Sequence, residues 1–258
     1  MTETRTHEAV VNAQFGARAA SYLKSAVHAA GADLDALAGL VHGHGGARVL
    51  DLGCGAGHVS FAVAPHVREV VACDLSPEML SVVAEAARER GFANIVTRES
   101  VAESLPFPEA SFDFVLSRYS THHWGDLDAG LREIARVLKP GGTVAIADSV
   151  SPGTPRLDTF LQAIELLRDP SHVRSRSWAE WQETLARAGL STLSARAFRI
   201  RLEFAAWIAR MRTPKIQADA IRALEAAMEE SVVAYFDIGP DGSFDLDTAL
   251  FEAVKPAP

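Results

Sequence analysis

The sequence predicts an α/β fold, a doubly wound and mostly parallel sheet with helices on both faces, and three observations carry that expectation. Short apolar runs recur between Arg48 and Asp148, most of them followed by a helical pattern. The runs are apolar almost throughout instead of alternating with polar residues, as in strands covered on both faces. Glycine, proline or a capping residue marks most of the changes from one pattern to the next.

The first forty residues read as helical, with Ala17–Ala30 and Leu34–Leu40 at helical spacing and Gly31 between them. His42-Gly43-His44-Gly45-Gly46 is a loop; its glycines offer no further ligand, so no metal site is expected. Arg48–Leu52 is the first strand, followed by a helical stretch over Val59–His66. Glu69–Cys73 is the second, closed by Asp74. Ser76-Pro77-Glu78 starts a helix with a hydroxyl cap, a first-turn proline and an acid favoured by the dipole; it runs to Arg90 and ends at Gly91. Ile95–Arg98 and Phe112–Ser117 are the third and fourth strands. A helix over Leu127–Leu138 is ended by Pro140-Gly141-Gly142, and Thr143–Asp148 is the fifth strand.

Beyond a linker at Pro152-Gly153-Thr154-Pro155, residues Leu157, Phe160, Leu161, Ile164 and Leu167 share one helical face. Trp178–Ala188 is a helix stopped by Gly189, and Leu193–Leu202 is a sixth strand. Ala205–Arg212 and Ile216–Tyr235 read as two helices, and Leu246–Val254 as the last strand.

The 258 residues are 48% hydrophobic and 22% charged, enough to bury a sizeable core. A net charge of −8 without a Lys/Arg run argues against nucleic acid as partner. No window approaches the roughly 18 uninterrupted apolar residues of a membrane span. Met1–Ala20 carries Glu3, Arg5, Glu8 and Arg18 and no apolar core stretch, so no secretory signal is expected there. Cys54 and Cys73 lack metal spacing and read as small buried hydrophobes, so a cytoplasmic protein is expected.

Val49–Gly57 carries the chemistry. Asp51 ends a strand, and Gly53, Gly55 and Gly57 follow at alternate positions, where the backbone turns tightly and approaches a ligand. Dinucleotide enzymes share such a loop, but their pattern wants a glycine where this chain has His58. Asp51 would also oppose a pyrophosphate at the helix start, whereas it suits a cofactor with a cationic amino-acid end. Asp74, about twenty residues on, is placed to accept hydrogen bonds from ribose hydroxyls.

Val49–Gly57, Asp74–Leu80, Ala102–Phe107, Ser111-Phe112-Asp113 and Arg136–Gly142 resemble the successive motifs of class I S-adenosylmethionine-dependent methyltransferases. The small-molecule subgroup of the ubiquinone/menaquinone C-methyltransferases and the biotin-pathway carboxyl methyltransferase is most similar. Within it the chain is similar to a bacterial branch marked by Ser117–Trp124 and Arg210–Pro214. The resemblance implies a Rossmann-like sheet of seven strands with a helical cap. It implies a lid over residues 1–43, a methyltransferase domain over 44–258 with its cofactor core at 48–150, and cap insertions at about 155–173 and 204–236. It implies S-adenosylmethionine as cofactor: Asp51, Gly53 and Gly55 beside the methionine part, Gly57 holding the helix start close, and Asp74 on the ribose. Leu75 and Met79 would touch the adenine, the Ala102 N–H its edge, and Ser117 or Arg118 the region of the sulfonium. Phe15, Ala19 and Tyr22 resemble an N-terminal signature whose aromatic rings close over the cofactor. Many relatives carry an acid where this chain has Val101, so either Glu103 takes its place or that contact is lost.

Methyl transfer needs alignment and desolvation above all, and a base only for a protonated acceptor. Ser117–Trp124 leaves the fourth strand at the ligand-binding edge of the sheet, and His122, then His123, are the candidate bases. The segment contains no proline, unlike the polar-Pro-Pro-aromatic segment of many amino-group methyltransferases, so a carbon or oxygen acceptor on a small molecule is expected. Leu157–Arg168 and Ala205–Tyr235 are the expected specificity segments. The alternative is a catalytically inactive S-adenosylmethionine-binding protein acting through partners.

Overall fold

Successive residues of a strand point to opposite sides, and here both sides are apolar. Leu50 and Leu52 enter one core and Val49 another; Val144 and Ile146 join the first, Ala145 and Ala147 the second. The computed structural model describes residues 6–16, 23 and 30–257. Its strands are β1 (Arg48–Leu52), β2 (Glu69–Asp74), β3 (Ile95–Glu99), β4 (Phe112–Arg118), β5 (Leu138–Ser151), β6 (Arg176–Ser177), β7 (Ser191–Leu202) and β8 (Phe244–Val254). Seven of them form the sheet in the order β3-β2-β1-β4-β5-β8-β7, and the two-residue β6 pairs with β5. β1 to β5 are parallel. β8 runs antiparallel between β5 and β7, so the sheet is mostly parallel with an antiparallel flank. Strand order reverses between β1 and β4, which opens a crevice at their C-terminal ends.

The described helices are α1 (His7–Phe15), α2 (Ala32–Leu40), α3 (His58–Val63), α4 (Pro77–Glu89), α5 (Leu127–Val137), α6 (Pro155–Arg168), α7 (Trp178–Arg187), α8 (Phe204–Met211), α9 (Lys215–Ala226) and α10 (Glu230–Phe236). Leu34 and Leu37 of α2 with Val59 and Val63 of α3 cover one face of the sheet; Leu131 and Ile134 of α5 with Trp181 and Leu185 of α7 cover the other. Ser76 caps α4 by accepting from the Met79 N–H, and Ser177 and Glu180 form a reciprocal capping box on α7. A separate apolar cluster joins Phe160 and Ile164 of α6, Trp207 of α8, Ile221 of α9 and Phe236 of α10 to Phe244 and Leu246 at the start of β8.

Several boundaries differ from expectation. Ile216–Tyr235 is two helices, because the chain leaves helical geometry at Glu229 (ψ 157°), whose carboxylate pairs with Arg156 at 3.0 Å. The break lets Phe236 reach the Phe160 ring, 5.2 Å away. β5 begins at Leu138, ten residues before Asp148, with a register shift opposite Phe112 and Phe114 that takes up Gly141-Gly142. The helix after the glycine loop stops at Val63 and tightens to a 3₁₀ turn over Ala64–His66. Most of the Ala17–Ala30 stretch, including Ala19 and Tyr22, lies outside the described residues.

His42 and His44 pack as rings, on His66 (4.1 Å) and Phe114 (5.0 Å). Cys54 and Cys73 are buried and free, and burial pushes the Cys73 thiol up to about 12. Among the described residues no helix is long and apolar enough to cross a membrane.

Candidate active site

Two cavities open at the C-terminal edge of the sheet. The first is built from consecutive strand ends. β1 delivers Asp51, Gly53 and Gly55; β2 delivers Asp74 and Leu75; Met79 comes from the first turn of α4, and Val101, Ala102 and Glu103 follow β3. His7, Glu8, Val11 and Phe15 of α1 complete the wall.

Asp51 points to the side of the sheet that α3 covers and is 1% exposed. Its Oδ2 accepts from both the N–H (2.9 Å) and the hydroxyl (2.6 Å) of Ser60. Burial raises its carboxyl to about 7, against the lowering by Ser60; Asp74 adds to the rise and Arg118 opposes it. A cation beside so poorly compensated a carboxyl would favour its charged form. Asp74 accepts from the Gly55 N–H (2.8 Å) and the Ser76 N–H (2.9 Å), which braces the glycine loop against the start of α4. Burial raises its carboxyl, and the hydrogen bonds at Ser76 and Gly55 oppose that.

The glycines differ in their reasons. Gly53 (φ 68°) packs so closely on Ser120 that a Cβ would overlap the Ser120 hydroxyl. Gly55 (φ 49°) has no atom of the described residues within 4 Å of where its Cβ would be, so its bare backbone borders the open cavity. Gly57 does not line the cavity; a Cβ there would press on Val83 and Phe61 at 3.0–3.1 Å, which holds α3 against α4. The buried acid, the bare loop and the apolar Leu75–Met79 side together fit S-adenosylmethionine.

The second cavity, about 330 Å³, is assembled from distant segments. His122, Glu165, Arg168 and Asp169 line it with Phe198, Ile200, Trp207, Met211 and Leu246. Phe15, Arg118, Tyr119 and His123 line both cavities. Tyr119 takes a left-handed φ of 52°, which turns the chain out of β4 between them. Arg118 is held by Asp33 at 2.5 Å, and Ser117 is fully buried and lines neither cavity.

The adjacent histidines have different partners. His122 Nδ1 meets Asp148 Oδ1 at 2.6 Å, and its backbone carbonyl accepts from Val173 N at 2.8 Å. Burial pushes His122 down, but the charge and hydrogen bond of Asp148, with Glu165 and Asp169, outweigh it, so its pKa stands above the ordinary imidazole value. His123 donates through Nδ1 to the Ser171 carbonyl at 3.1 Å, and burial beside His122 drives its pKa well down. Its own carbonyl accepts from His7 Nε2 at 2.6 Å, and the Phe15 ring meets it edge-on at 4.9 Å. α1 is thereby tied to the His122-His123 turn.

Sequence reasoning brought together the residues of the first cavity that lie near one another in the chain. It missed His7 and Glu8, and it missed Asp148. The signal for Asp148 was present, an acid ending an apolar strand as Asp51 and Asp74 do. Glu103 lines the first cavity, and its carboxylate accepts from the Asp126 N–H at 3.2 Å.

A family model described as a methyltransferase domain matches residues 50–146. The chain is 46% identical over 201 residues to the uncharacterized protein YafE of Escherichia coli, covering 78% of this chain and 97% of YafE. It is 35% identical over 246 residues to the uncharacterized methyltransferase YcgJ of Bacillus subtilis, covering 93% of this chain and 97% of YcgJ. The crystal structure of YcgJ superposes with a TM-score of 0.84 at 33% identity, covering 88% of this chain and 99% of YcgJ. A 2-phytyl-1,4-naphtoquinone methyltransferase of Synechococcus elongatus is 38% identical over 121 residues, 45% of this chain and 52% of that protein. With the glycine loop, the two strand-end acids and the sheet order in place, the chain belongs to the class I S-adenosylmethionine-dependent methyltransferases.

Proposed function

We propose that the chain transfers a methyl group from S-adenosylmethionine in the first cavity to a carbon or oxygen atom of a small molecule in the second. The observation that carries this reading is the shared wall: Phe15, Arg118, Tyr119 and His123 border both cavities, so a donor in one faces an acceptor in the other. Bound S-adenosylmethionine supplies an electrophilic methyl on a sulfonium. Asp51 binds its cationic amino-acid end beside Gly53 and Gly55, Asp74 takes the ribose hydroxyls, and Leu75, Met79, Val101 and Ala102 enclose the adenine. Arg118, on the shared wall, would lie near the sulfonium, and the buried Ser117 would support the strand behind it.

His122, not His123, takes the acceptor's proton. It lines the second cavity and is kept basic by Asp148, whereas His123 is driven neutral and packed against Phe15. Residues 1–43 act as the lid, supported by the His7 bond to the His123 carbonyl, and the segments at about 155–173 and 204–236 cap the acceptor. The apolar side of the second cavity suits a partly apolar acceptor, and the partial likeness to a naphthoquinone enzyme agrees with that. The net charge of −8 argues against nucleic acid as acceptor, and two buried free thiols suit the cytoplasm.

The test is mass spectrometry of a metabolite extract incubated with the protein and methyl-labelled cofactor. A labelled small molecule with matching S-adenosylhomocysteine is expected. Label found only in protein or nucleic acid, or no turnover in any extract, overturns the reading.

A further inference from the structure

Asp148 is 1% exposed, on β5 just past its pairing with β4, and both its oxygens accept from two donors. Oδ1 accepts from His122 Nδ1 at 2.6 Å and from the Ser149 N–H at 2.7 Å. Oδ2 accepts from the Thr121 N–H at 2.8 Å and the Thr121 hydroxyl at 2.5 Å. Among the described residues, Asp51, equally buried, receives hydrogen bonds only from Ser60. The consequence is opposite: burial lifts Asp51 to about 7, whereas His122, Thr121 and Ser149 overcome burial and hold Asp148 at about 2.

A carboxylate held ionised against Nδ1 fixes the hydrogen there, because an ionised carboxylate only accepts. The acceptor lone pair of the ring is then on Nε2. No described residue hydrogen-bonds to Nε2, and the ring lines the second cavity. His123 has no such carboxylate; its Nδ1 is spent on the Ser171 backbone.

We infer that Asp148 is a positioning residue for methyl transfer: it selects the His122 tautomer whose Nε2 faces the acceptor and balances the imidazolium formed there. This rests on His122 being the base. As the acceptor atom bonds to the methyl and the carbon–sulfur bond breaks, the acceptor's proton passes to His122 Nε2. The imidazole becomes a cation beside the Asp148 anion, and S-adenosylhomocysteine leaves uncharged at sulfur.

Other charges face the same ring. Glu165 of α6 and Asp169 beyond it favour the cation, while His172 stands 5.8 Å away and His123 4.1 Å away, ring to ring. Across the cavity Arg118 is held by Asp33, Arg168 lies 3.4 Å from Glu165, and Arg199 pairs with Asp245 and Asp247. Arg210 also borders the cavity. Asp148 alone among these groups hydrogen-bonds to the ring.

The experiment is nitrogen NMR of the full chain, with the His122 signals assigned by their loss in His122→Gln. The native protein should show the Nδ1–H tautomer and a midpoint above the ordinary imidazole value. Asp148→Asn should lower that midpoint by about one unit or more and admit the Nε2–H tautomer. With labelled cofactor and metabolite extract, the acid limb of the rate should move with it and the plateau fall about tenfold or more. Calorimetry with S-adenosylhomocysteine serves as the folding control. If Asp148→Asn does not fold, Thr121→Val removes one donor from Oδ2 and should shift the His122 midpoint upward, by less.

An unchanged tautomer and midpoint in the variant that folds overturn the role of Asp148. If instead Asp148→Asn moves the midpoint while His122→Gln keeps the native rate and pH profile, the base assignment fails and the inference fails with it.

Discussion

The two cavities meet at the exit of β4, yet they are built differently. The first is made of strand, loop and helix start in immediate succession: Asp51 to Ser60, then Asp74 to Met79. The second draws on α1, α2, β4, β5, α6, β7, α8 and β8, so that His122 finds its partner 26 residues away and much of its cavity wall beyond residue 160. Each depends on a buried aspartate: Asp51 lines the first, and Asp148, on β5, stands behind His122 of the second. In the first that acid is left short of donors, ready for a cation from outside; in the second it is saturated from within and serves a neighbouring histidine. Burial alone does not set the state of a carboxylate. The charges and the donors that reach it decide together.

The largest effect should come from His122→Gln. Turnover should fall roughly 10²- to 10⁴-fold with cofactor affinity unchanged. A loss of cofactor binding of similar size, read by calorimetry, would merge the two cavities into one functional unit.

Asp74→Ala should do the converse. It removes the brace on Gly55 and Ser76 and the proposed ribose contacts, and should weaken cofactor binding by about 100-fold, as expected for two hydrogen bonds to a charged group. The His122 NMR signals should hardly move. Unchanged affinity would remove Asp74 from the cofactor site.

Third is a pH dependence confined to the first cavity. The Asp51 carboxyl is raised to about 7, so it is largely neutral below that pH and attracts a cation only above it. Binding of S-adenosylmethionine should therefore tighten about tenfold between roughly pH 6 and pH 7.5. Asp51→Asn should flatten this dependence; a slope that survives belongs to another group.

Smallest is Gly53→Ala, where a Cβ overlaps the Ser120 hydroxyl and φ is 68°. It should cost about 1–3 kcal/mol of stability in denaturant unfolding. Adding Ser120→Gly should recover the overlap but not the backbone strain, so only part of the loss returns. Full recovery would show that contact alone selects glycine there.

The parts of the molecule legible in the sequence are those whose causes are local. β1, α4 and the glycine loop fall within a residue or two of expectation, because capping, proline placement and strand-end glycines act on neighbouring residues. The Ile216–Tyr235 stretch shows where that stops. Its apolar stripe continues, and only the packing of Phe236 on Phe160 and the pairing of Glu229 with Arg156 divide it into α9 and α10. Asp148 was visible as a third strand-end acid, but nothing in the chain near it points to His122.

The sequence by itself determined the order of the parallel strands and the class of methyl donor, since Asp51, the glycine loop and Asp74 lie within 24 residues of one another in the chain. Only the tertiary structure decided which histidine carries an acid. The pairing of β4 with β5 brings Asp148 to the turn that follows β4, where it hydrogen-bonds to Thr121 and His122. His123, one residue on, reaches the Ser171 carbonyl instead.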